Sequence, residues 1–153
     1  MSCPVPVVHT TVTIERPPAA VFAYITTAGL WPQWQPAVLA VSGVTEQPLR
    51  LGEQATTEYR VVGRTGVITW EVTRYLPWRY WTVEGKIAGQ ANGGAVAYTL
   101  ARQGRATRLV RTFRFETSQP VTRLHDAITL HRRVALEAED ALARLKAVLE
   151  RSG

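Results

Sequence analysis

Residues 121–153 read VTRLHDAITLHRRVALEAEDALARLKAVLERSG. Apolar side chains return every three or four positions along this stretch, and most charged side chains fall between them. A period near 3.6 residues predicts one long amphipathic α-helix. Its expected apolar stripe comprises Leu124, Ala127, Ile128, His131, Val134, Ala135, Ala138, Ala141, Leu142, Leu145, Val148 and Leu149. A helix with one apolar face must pack against another element, so the rest of the chain has to supply a surface for it.

Upstream of this helix, β-branched and aromatic side chains alternate with polar ones in short runs that turn residues separate. This pattern predicts seven strands, over residues 7–15, 38–44, 55–62, 65–76, 79–87, 95–102 and 107–116. Their short connections favour antiparallel pairing, because a parallel crossover needs a dozen or more residues.

Two short helical segments are expected between the first and second strands. Pro17 and Pro18 suit the entry to a helix over residues 19–27, with Gly29 at its end, and residues 31–36 form a second short turn or helix. The predicted fold class is α+β. A curved antiparallel sheet covered by one long helix also leaves space for a pocket between them.

Composition limits the classes of protein that remain. The 153 residues are 46% hydrophobic and 20% charged, which predicts one folded domain over residues 1–153. The lone Cys3 has no partner for an internal disulfide, and no Cys/His cluster has zinc-site spacing, so no metal or cofactor is expected. No apolar stretch reaches the length of a membrane span, and the first residues lack a signal-peptide pattern. A cytoplasmic location is the resulting expectation.

The charge is basic, but it is dispersed. Eighteen Lys and Arg residues against twelve Asp and Glu residues give a net charge of +6, and the arginines are spread from Arg16 to Arg151. Nucleic-acid binders usually cluster their cations on one face, so nucleic acid is not a favoured partner. Nucleophile-elbow, phosphate-loop and dinucleotide-binding motifs are missing as well. Any catalysis would therefore depend on positioning and acid/base groups.

Several segments together resemble a known superfamily. They are IERPPAAVFAYI at 14–25, LWPQW at 30–34, EVTRYLPWRYW at 71–81, YTL at 98–100 and TRLVRT at 107–112. Over nearly the whole chain, the sequence resembles the START-like superfamily, also called Bet v 1-like or polyketide cyclase/dehydrase. This resemblance implies a helix-grip fold, in which a seven-stranded curved antiparallel sheet wraps around a long C-terminal helix and encloses an apolar cavity. Members include lipid carriers, hormone receptors, aromatase/cyclases and co-chaperones, so fold is implied more sharply than function.

Strand alternation identifies candidate ligand-binding residues. Inward-facing aromatic positions are Tyr59, Trp70, Trp81, Tyr98 and Phe113. These side chains either line a pocket or fill a dry core. The helix adds Ile128 and His131 from its apolar stripe, and the segment before the second strand adds Trp31 and Trp34. The two tryptophans would form either a lid at the cavity mouth or an aromatic plug.

His131 and Arg111 are the candidate catalytic residues. His131 falls near the middle of the apolar arc of the helix, where a buried imidazole could anchor a ligand or act as an acid or base. Arg111 shares strand parity with Leu109 and Phe113, so its guanidinium is expected to point inward and to bind a carboxylate or enolate oxygen. The alternatives are a core histidine bonded within the protein and an arginine that reaches water.

Three functions remain open from the sequence. The leading one is binding of a small hydrophobic ligand, aromatic or anionic, between the sheet and the C-terminal helix. The second is a cofactor-independent cyclase or dehydratase in the same cavity, with His131 or Arg111 handling enolate charge. The third is a protein-interaction module of the co-chaperone or antitoxin-linked kind. Either a monomer or a homodimer is compatible with the sequence.

Overall fold

The computed structural model describes residues 7–61, 64–87, 94–114 and 124–151, without the side chains of residues 61, 64 and 124–130. The strands are β1 (Val7–Ile14), β2 (Val38–Gly43), β3 (Gln54–Val61), β4 (Arg64–Leu76), β5 (Tyr80–Ile87), β6 (Gly94–Gln103) and β7 (Ala106–Arg114). The helices are α1 (Pro18–Thr26), α2 (Trp31–Trp34) and α3 (Leu124–Arg151), with a 3₁₀ turn at Ala28–Leu30. Each predicted element is present, although residues 115 and 116 of the last predicted strand lie outside the described residues.

The described strands form one sheet in the order β1-β7-β6-β5-β4-β3-β2. Every neighbouring pair is antiparallel, and the register shifts once between β2 and β3 and once between β4 and β5. The sheet is curved and α3 lies across it, which confirms the predicted α+β helix-grip fold.

The first helix begins as the sequence predicts and ends for a different reason. Pro17 is the extended residue before α1, and Pro18 occupies its first turn, where the missing N–H costs no hydrogen bond. The helix stops at Thr26, before Gly29. Gly29 instead donates its backbone N–H to the Thr45 carbonyl at 3.0 Å, so close that a side chain at this position would collide with that carbonyl. The expectation that Gly29 caps the helix is therefore wrong.

The long helix runs in the same direction as β1. At its C-terminal end Lys146 donates to the Thr13 carbonyl at 2.7 Å, and Glu150 accepts the Glu15 backbone N–H at 2.9 Å. Near its other end His131 lies beside the Val7 carbonyl. Within the described side chains, the buried residues of α3 are Val134, Ala138, Ala141, Leu142, Leu145 and Leu149, all on the predicted apolar stripe.

Alternation along the strands determines which side chains face α3. Buried inner-face residues include Val72 on β4, Val83 on β5, Val96 on β6 and Leu109 on β7. They pack with the buried side of α1 and with the C-terminal half of α3 in one hydrophobic cluster. The predicted inward parity of the strands is confirmed by this burial. The functional candidates on the same face therefore lie inside the molecule.

Candidate functional site

A group of aromatic side chains surrounds Tyr98 on the inner face of the sheet. Trp81 lies opposite Tyr98 across the β5–β6 pair, and their ring centroids are 6.0 Å apart. Trp34 meets the Tyr98 ring edge-on at 6.4 Å, and Trp31 meets Trp81 in the same way at 6.2 Å. Four of the predicted ligand-binding aromatics thus form one continuous cluster.

Arg111 adds a charge to this cluster. Its residue lies opposite Tyr98 across the β6–β7 pair, and it is only 7% exposed. The guanidinium Nε donates to the Tyr98 hydroxyl at 3.2 Å, and Cζ lies 5.3 Å from the centre of the Phe113 ring. Among the described side chains, no carboxylate lies within 4.0 Å of the guanidinium. The inward position predicted for Arg111 is confirmed, and its charge has no protein counter-charge in the described part of the chain.

Trp34 contributes an unpaired hydrogen-bond donor. Its residue is 0% exposed, yet its indole Nε1 has no acceptor within hydrogen-bond distance in the described residues. Buried N–H groups are almost always hydrogen-bonded, since an unmade bond costs about 1–3 kcal/mol. The Tyr98 ring contacts the Trp34 ring, and the Tyr98 hydroxyl accepts the hydrogen bond from Arg111. Tyr98 therefore lies between the residue with the unpaired N–H and the residue with the buried guanidinium. The donors of this group suit an oxygen that carries negative charge or a carbonyl dipole.

The other two tryptophans of the cluster are fixed by backbone carbonyls. Trp31 Nε1 donates to the Ile25 carbonyl at 2.8 Å, and Trp81 Nε1 donates to the Leu49 carbonyl at 3.2 Å. Leu49 is fully buried and was not among the sequence candidates. The only signal for it is an apolar residue directly after Pro48 in a polar loop. Since Trp31 and Trp34 are both buried, they form the interior plug rather than an exposed lid.

A hydrogen bond between α1 and α2 supports the position of Trp31 and Trp34. The Tyr24 hydroxyl of α1 donates to the Gln33 Oε1 of α2 at 2.6 Å. Partial burial raises the pKa of Tyr24 above its ordinary value. The four-residue α2 carries both tryptophans at its ends, and this bond fixes it against α1.

Tyr59 and Trp70 lie away from the Tyr98 cluster. Trp70 on β4 pairs with Gly85, four residues along β5 from Trp81, and its Nε1 donates to the Thr57 hydroxyl at 3.1 Å. Gly85 is needed there because a Cβ on it would lie 2.7 Å from the Trp70 ring. Tyr59 covers Gly66 in a similar way. Both aromatic rings are half-buried on the inner face, and Trp70 packs against the edge of the same hydrophobic core as the Tyr98 cluster.

His131 does not occupy the interior position that its helical angle suggests. It is exposed, and its Nε2 lies 3.2 Å from the Val7 carbonyl, at the first described residue of β1. The expectation of a buried imidazole is wrong. His131 lies beside Val7, where β1 begins, whereas the buried part of α3 packs against the sheet farther toward the C-terminus of the helix. Arg111 lies opposite Thr10, three residues farther into β1. The side chain of Ile128 lies outside the described residues.

Metal-binding groups are not found in the part of the chain that the structure describes, where no three His, Cys, Asp or Glu side chains lie close enough to hold an ion. Among the described helices, none combines the length and apolarity that a bilayer crossing requires. The chemistry of the cluster therefore comes from a guanidinium, a phenol and an indole N–H inside an aromatic surround.

Comparison with protein families supplies the wider context. The sequence matches the family described as "Polyketide cyclase / dehydrase and lipid transport" over residues 6–150. The chain belongs to this family. A search of curated proteins found no match.

Solved structures agree with this family and its fold. A START superfamily protein from Mycobacterium smegmatis is 15% identical, with a TM-score of 0.74, and the alignment covers 96% of this chain and 99% of that one. A protein of the dynemicin biosynthetic locus is 19% identical, with a TM-score of 0.66, over 97% of this chain and 49% of that one. The Aha1 dimer from Colwellia psychrerythraea is 17% identical, with a TM-score of 0.65, over 94% and 96% of the two chains. Identities this low establish the fold of this chain and no activity.

Proposed function

We propose that this protein binds a small hydrophobic ligand between the inner face of its sheet and α3, and that the ligand places an anionic or carbonyl oxygen at Arg111. The aromatic side chains of Trp34, Trp81 and Tyr98 would contact its apolar body. A family described by polyketide cyclases, dehydrases and lipid transport makes ligands of this kind reasonable.

The observation that carries this function is the buried guanidinium of Arg111, which has no carboxylate beside it among the described side chains. A guanidinium remains charged in proteins, and moving a charge out of water costs several kcal/mol unless a partner compensates. Tyr98 supplies one neutral hydrogen bond at 3.2 Å, and ring faces supply a weaker attraction. A ligand carboxylate or enolate would complete the pairing through the fork of the guanidinium.

Trp34 supports the same assignment independently. An indole nitrogen is a donor only, so the buried N–H can be satisfied by an acceptor and by nothing else. A ligand oxygen held by Arg111 and a second oxygen or carbonyl at Trp34 would satisfy both groups. Dispersion and burial of the ligand against the aromatic cluster would add affinity.

A cyclase or dehydratase is the second candidate, and the same donors favour it. Enolate charge develops when a polyketone is folded and condensed, and a prepositioned guanidinium and phenol would stabilise that charge. Such an enzyme also needs a group that moves protons. His131, the candidate for that step, is exposed at the end of β1 and bonded to a backbone carbonyl, which favours binding over catalysis.

Native mass spectrometry of the protein purified from its own host tests the proposed function. We expect an additional mass that is lost on denaturation and that carries an acidic or carbonyl group. Arg111→Met should lose this mass, whereas Arg114→Met, on the exposed face of the same strand, should retain it. A protein that is empty from the host, and stays empty after incubation with fatty acids and aromatic polyketides, would contradict the proposal.

His131 separates the two candidate functions. His131→Asn should leave the co-purified mass in place under either one, because the side chain lies outside the aromatic cluster. Loss of turnover of a bound polyketone in this variant, with affinity unchanged, would establish the enzyme. If His131→Asn turns over the polyketone as the wild type does, or if the wild type shows no turnover, ligand binding is the function that remains.

A further inference from the structure

The turn between β4 and β5 carries an exposed apolar group. Leu76 is 40% exposed, Trp78 is 59% exposed and Tyr80 is 40% exposed. Leu76 and Tyr80 are direct cross-strand partners, so their side chains share one face of the hairpin. Among the described residues, Trp78 and Tyr80 are the most exposed aromatic side chains. We call these three residues, with Arg74, Arg79 and Arg102, the hairpin-tip patch.

The backbone presents Trp78 at a conformational cost. Its φ of 67° lies in the left-handed region, which is unfavourable for a side chain this bulky. Glycine or asparagine is the usual choice at such a position. The turn is closed by a hydrogen bond from the Arg79 N–H to the Leu76 carbonyl at 3.1 Å. More than half of this strained tryptophan lies in water, which points to a role outside the folded chain.

Three arginines from separate segments lie near this apolar tip. Arg74 precedes Leu76 on the same side of β4, Arg79 lies in the turn, and Arg102 lies at the end of β6. All three are exposed, and none forms an ion pair with a described residue. A groove of about 640 Å³ is lined by the start of α1, the hairpin tip and the end of β6, with Trp78, Arg79 and Arg102 among its lining residues.

We propose that the hairpin-tip patch docks on the surface of an anionic phospholipid bilayer. Tryptophan and tyrosine favour the headgroup level of a membrane, where their rings are half in hydrocarbon and their polar atoms stay hydrated. Leucine adds apolar area below that level, and each arginine gains from the negative potential of anionic lipids. Nothing in this inference depends on the ligand site, because the patch residues are exposed and are not part of the Tyr98 cluster.

The arrangement favours a bilayer over an acidic protein segment. The apolar side chains lie at the end of a hairpin, the shape that can enter an interface, and the cations come from separate elements around it. A plane of uniform negative charge pairs with all three arginines at once. An acidic peptide in the groove would reach Arg79 and Arg102 but would leave Leu76 and Tyr80 uncovered, because neither residue lines the groove.

Vesicle binding tests the docking surface directly. The probes are phosphatidylcholine vesicles with and without about 30% phosphatidylglycerol, each also prepared with brominated acyl chains that quench tryptophan at close range. We expect sedimentation with the anionic vesicles only, weaker in high salt. Trp78 should be quenched by the brominated lipid, and the quenching should be absent in Trp78→Asn, whose new residue tolerates the turn conformation.

Charge variants distinguish this patch from general attraction of a basic protein. Arg74→Gln, Arg79→Gln and Arg102→Gln together should weaken binding to the anionic vesicles by about a hundredfold, at about fivefold for each arginine. The matched control is Arg60→Gln, Arg132→Gln and Arg133→Gln, which removes the same charge from exposed positions elsewhere. It should bind nearly as well as the wild type.

Three results would overturn the proposal. The first is no binding to anionic vesicles at low salt. The second is equal losses in the patch variant and its control, which would show an effect of net charge alone. The third is binding to anionic vesicles without quenching of Trp78 by the brominated lipid, which would show a different docking surface.

Discussion

Arg111 is the residue on which the proposed function depends most. Its guanidinium is buried on the inner face of β7, with Tyr98 as its hydrogen-bond partner and no carboxylate beside it in the described residues. Removing one member of a structural buried ion pair usually costs about 3–5 kcal/mol, whereas replacing buried charges with apolar groups of similar volume is often neutral or stabilising. The change in the free energy of unfolding when Arg111 and its partner are replaced by apolar residues therefore separates two roles. A decrease indicates that Arg111 stabilises the fold, and no change or an increase indicates that it is kept for binding.

We expect the double variant Arg111→Met/Tyr98→Phe to be at least as stable as the wild type when no ligand is bound. Both partners of the 3.2 Å hydrogen bond are removed together, so neither is left unsatisfied. The free energy of unfolding, measured by urea titration, should stay the same or rise by up to about 4 kcal/mol. Affinity for an aromatic carboxylate such as 2-naphthoate should fall by about tenfold or more, the value of a hydrogen bond to a charged group.

Arg114→Met is the matched control for this prediction, because Arg114 is exposed on the same strand. It should change neither stability nor affinity appreciably. A loss of more than about 1 kcal/mol in the double variant, beyond that of the control, would mean that the pair stabilises the fold and is not held in reserve for a ligand.

Among the secondary-structure elements, α3 is attached to β1 by polar contacts at its C-terminal end. Glu150 accepts from Lys146 at 2.6 Å and from the Glu15 backbone N–H at 2.9 Å. Arg16 also donates to the Leu149 carbonyl at 3.0 Å. The hydrogen bond from Lys146 and then that from Glu15 lower the pKa of Glu150 below its ordinary value. Attachment of the helix end is consequently pH-dependent.

Glu150→Gln should destabilise the protein at neutral pH and have no effect in acid. A carboxyl whose pKa is lowered by folding contributes stability above its unfolded-state pKa and loses it as the pH falls through the folded-state pKa. Urea titrations at about pH 7 and about pH 2.5 measure the difference between the variant and the wild type. Glu139→Gln, on the exposed side of the same helix, is the control. A difference that persists in acid would assign the effect to the shape of the side chain and not to its charge.

The helix also shows where sequence periodicity stops being informative. Six residues of the predicted stripe between Val134 and Leu149 are buried against the core, and Ala135 and Val148 are half-buried. His131 has a similar helical angle but lies level with Val7, and it is exposed. Period determines the angle of a residue around a helix, whereas burial also requires a covering element at that height along the axis. Whether an element covers a given turn of α3 depends on how α3 is aligned along β1. A local sequence pattern does not predict this alignment.

For the molecule as a whole, the strands and their inward faces follow from local chemistry. Alternation and turn residues give the strand ends within a residue or two, and antiparallel order follows from the short connections. The inward position of Arg111 came from parity alone and is correct. The fold was therefore almost entirely predictable, and the matched family confirms it.

The organisation of the candidate site required three-dimensional information. Leu49 fixes Trp81 from a loop more than thirty residues away, and Gly85 makes room for Trp70 from the next strand. The unpaired N–H of Trp34 depends on what surrounds a single atom. These features arise between segments that are distant in sequence, so periodicity and composition carry no record of them.

The two proposed surfaces also lie on opposite faces of the same strand. Tyr80 is exposed in the hairpin-tip patch, and Trp81, the next residue of β5, is buried in the aromatic cluster. Docking and ligand binding therefore involve neighbouring residues without sharing one.

The measurement that tests the central claim most directly is a ¹H–¹⁵N spectrum of the five tryptophan indoles, with and without 2-naphthoate. Trp31, Trp70 and Trp81 already donate to protein oxygens, and Trp31 and Trp70, which are not among the proposed ligand contacts, serve as internal references. Trp34→Phe assigns the remaining buried indole. We predict that the Trp34 N–H signal moves downfield as an acceptor reaches it, and that 2-methylnaphthalene, which has no such acceptor, leaves it nearly in place. A Trp34 signal that stays unchanged in protein saturated with 2-naphthoate would contradict a ligand oxygen at this site.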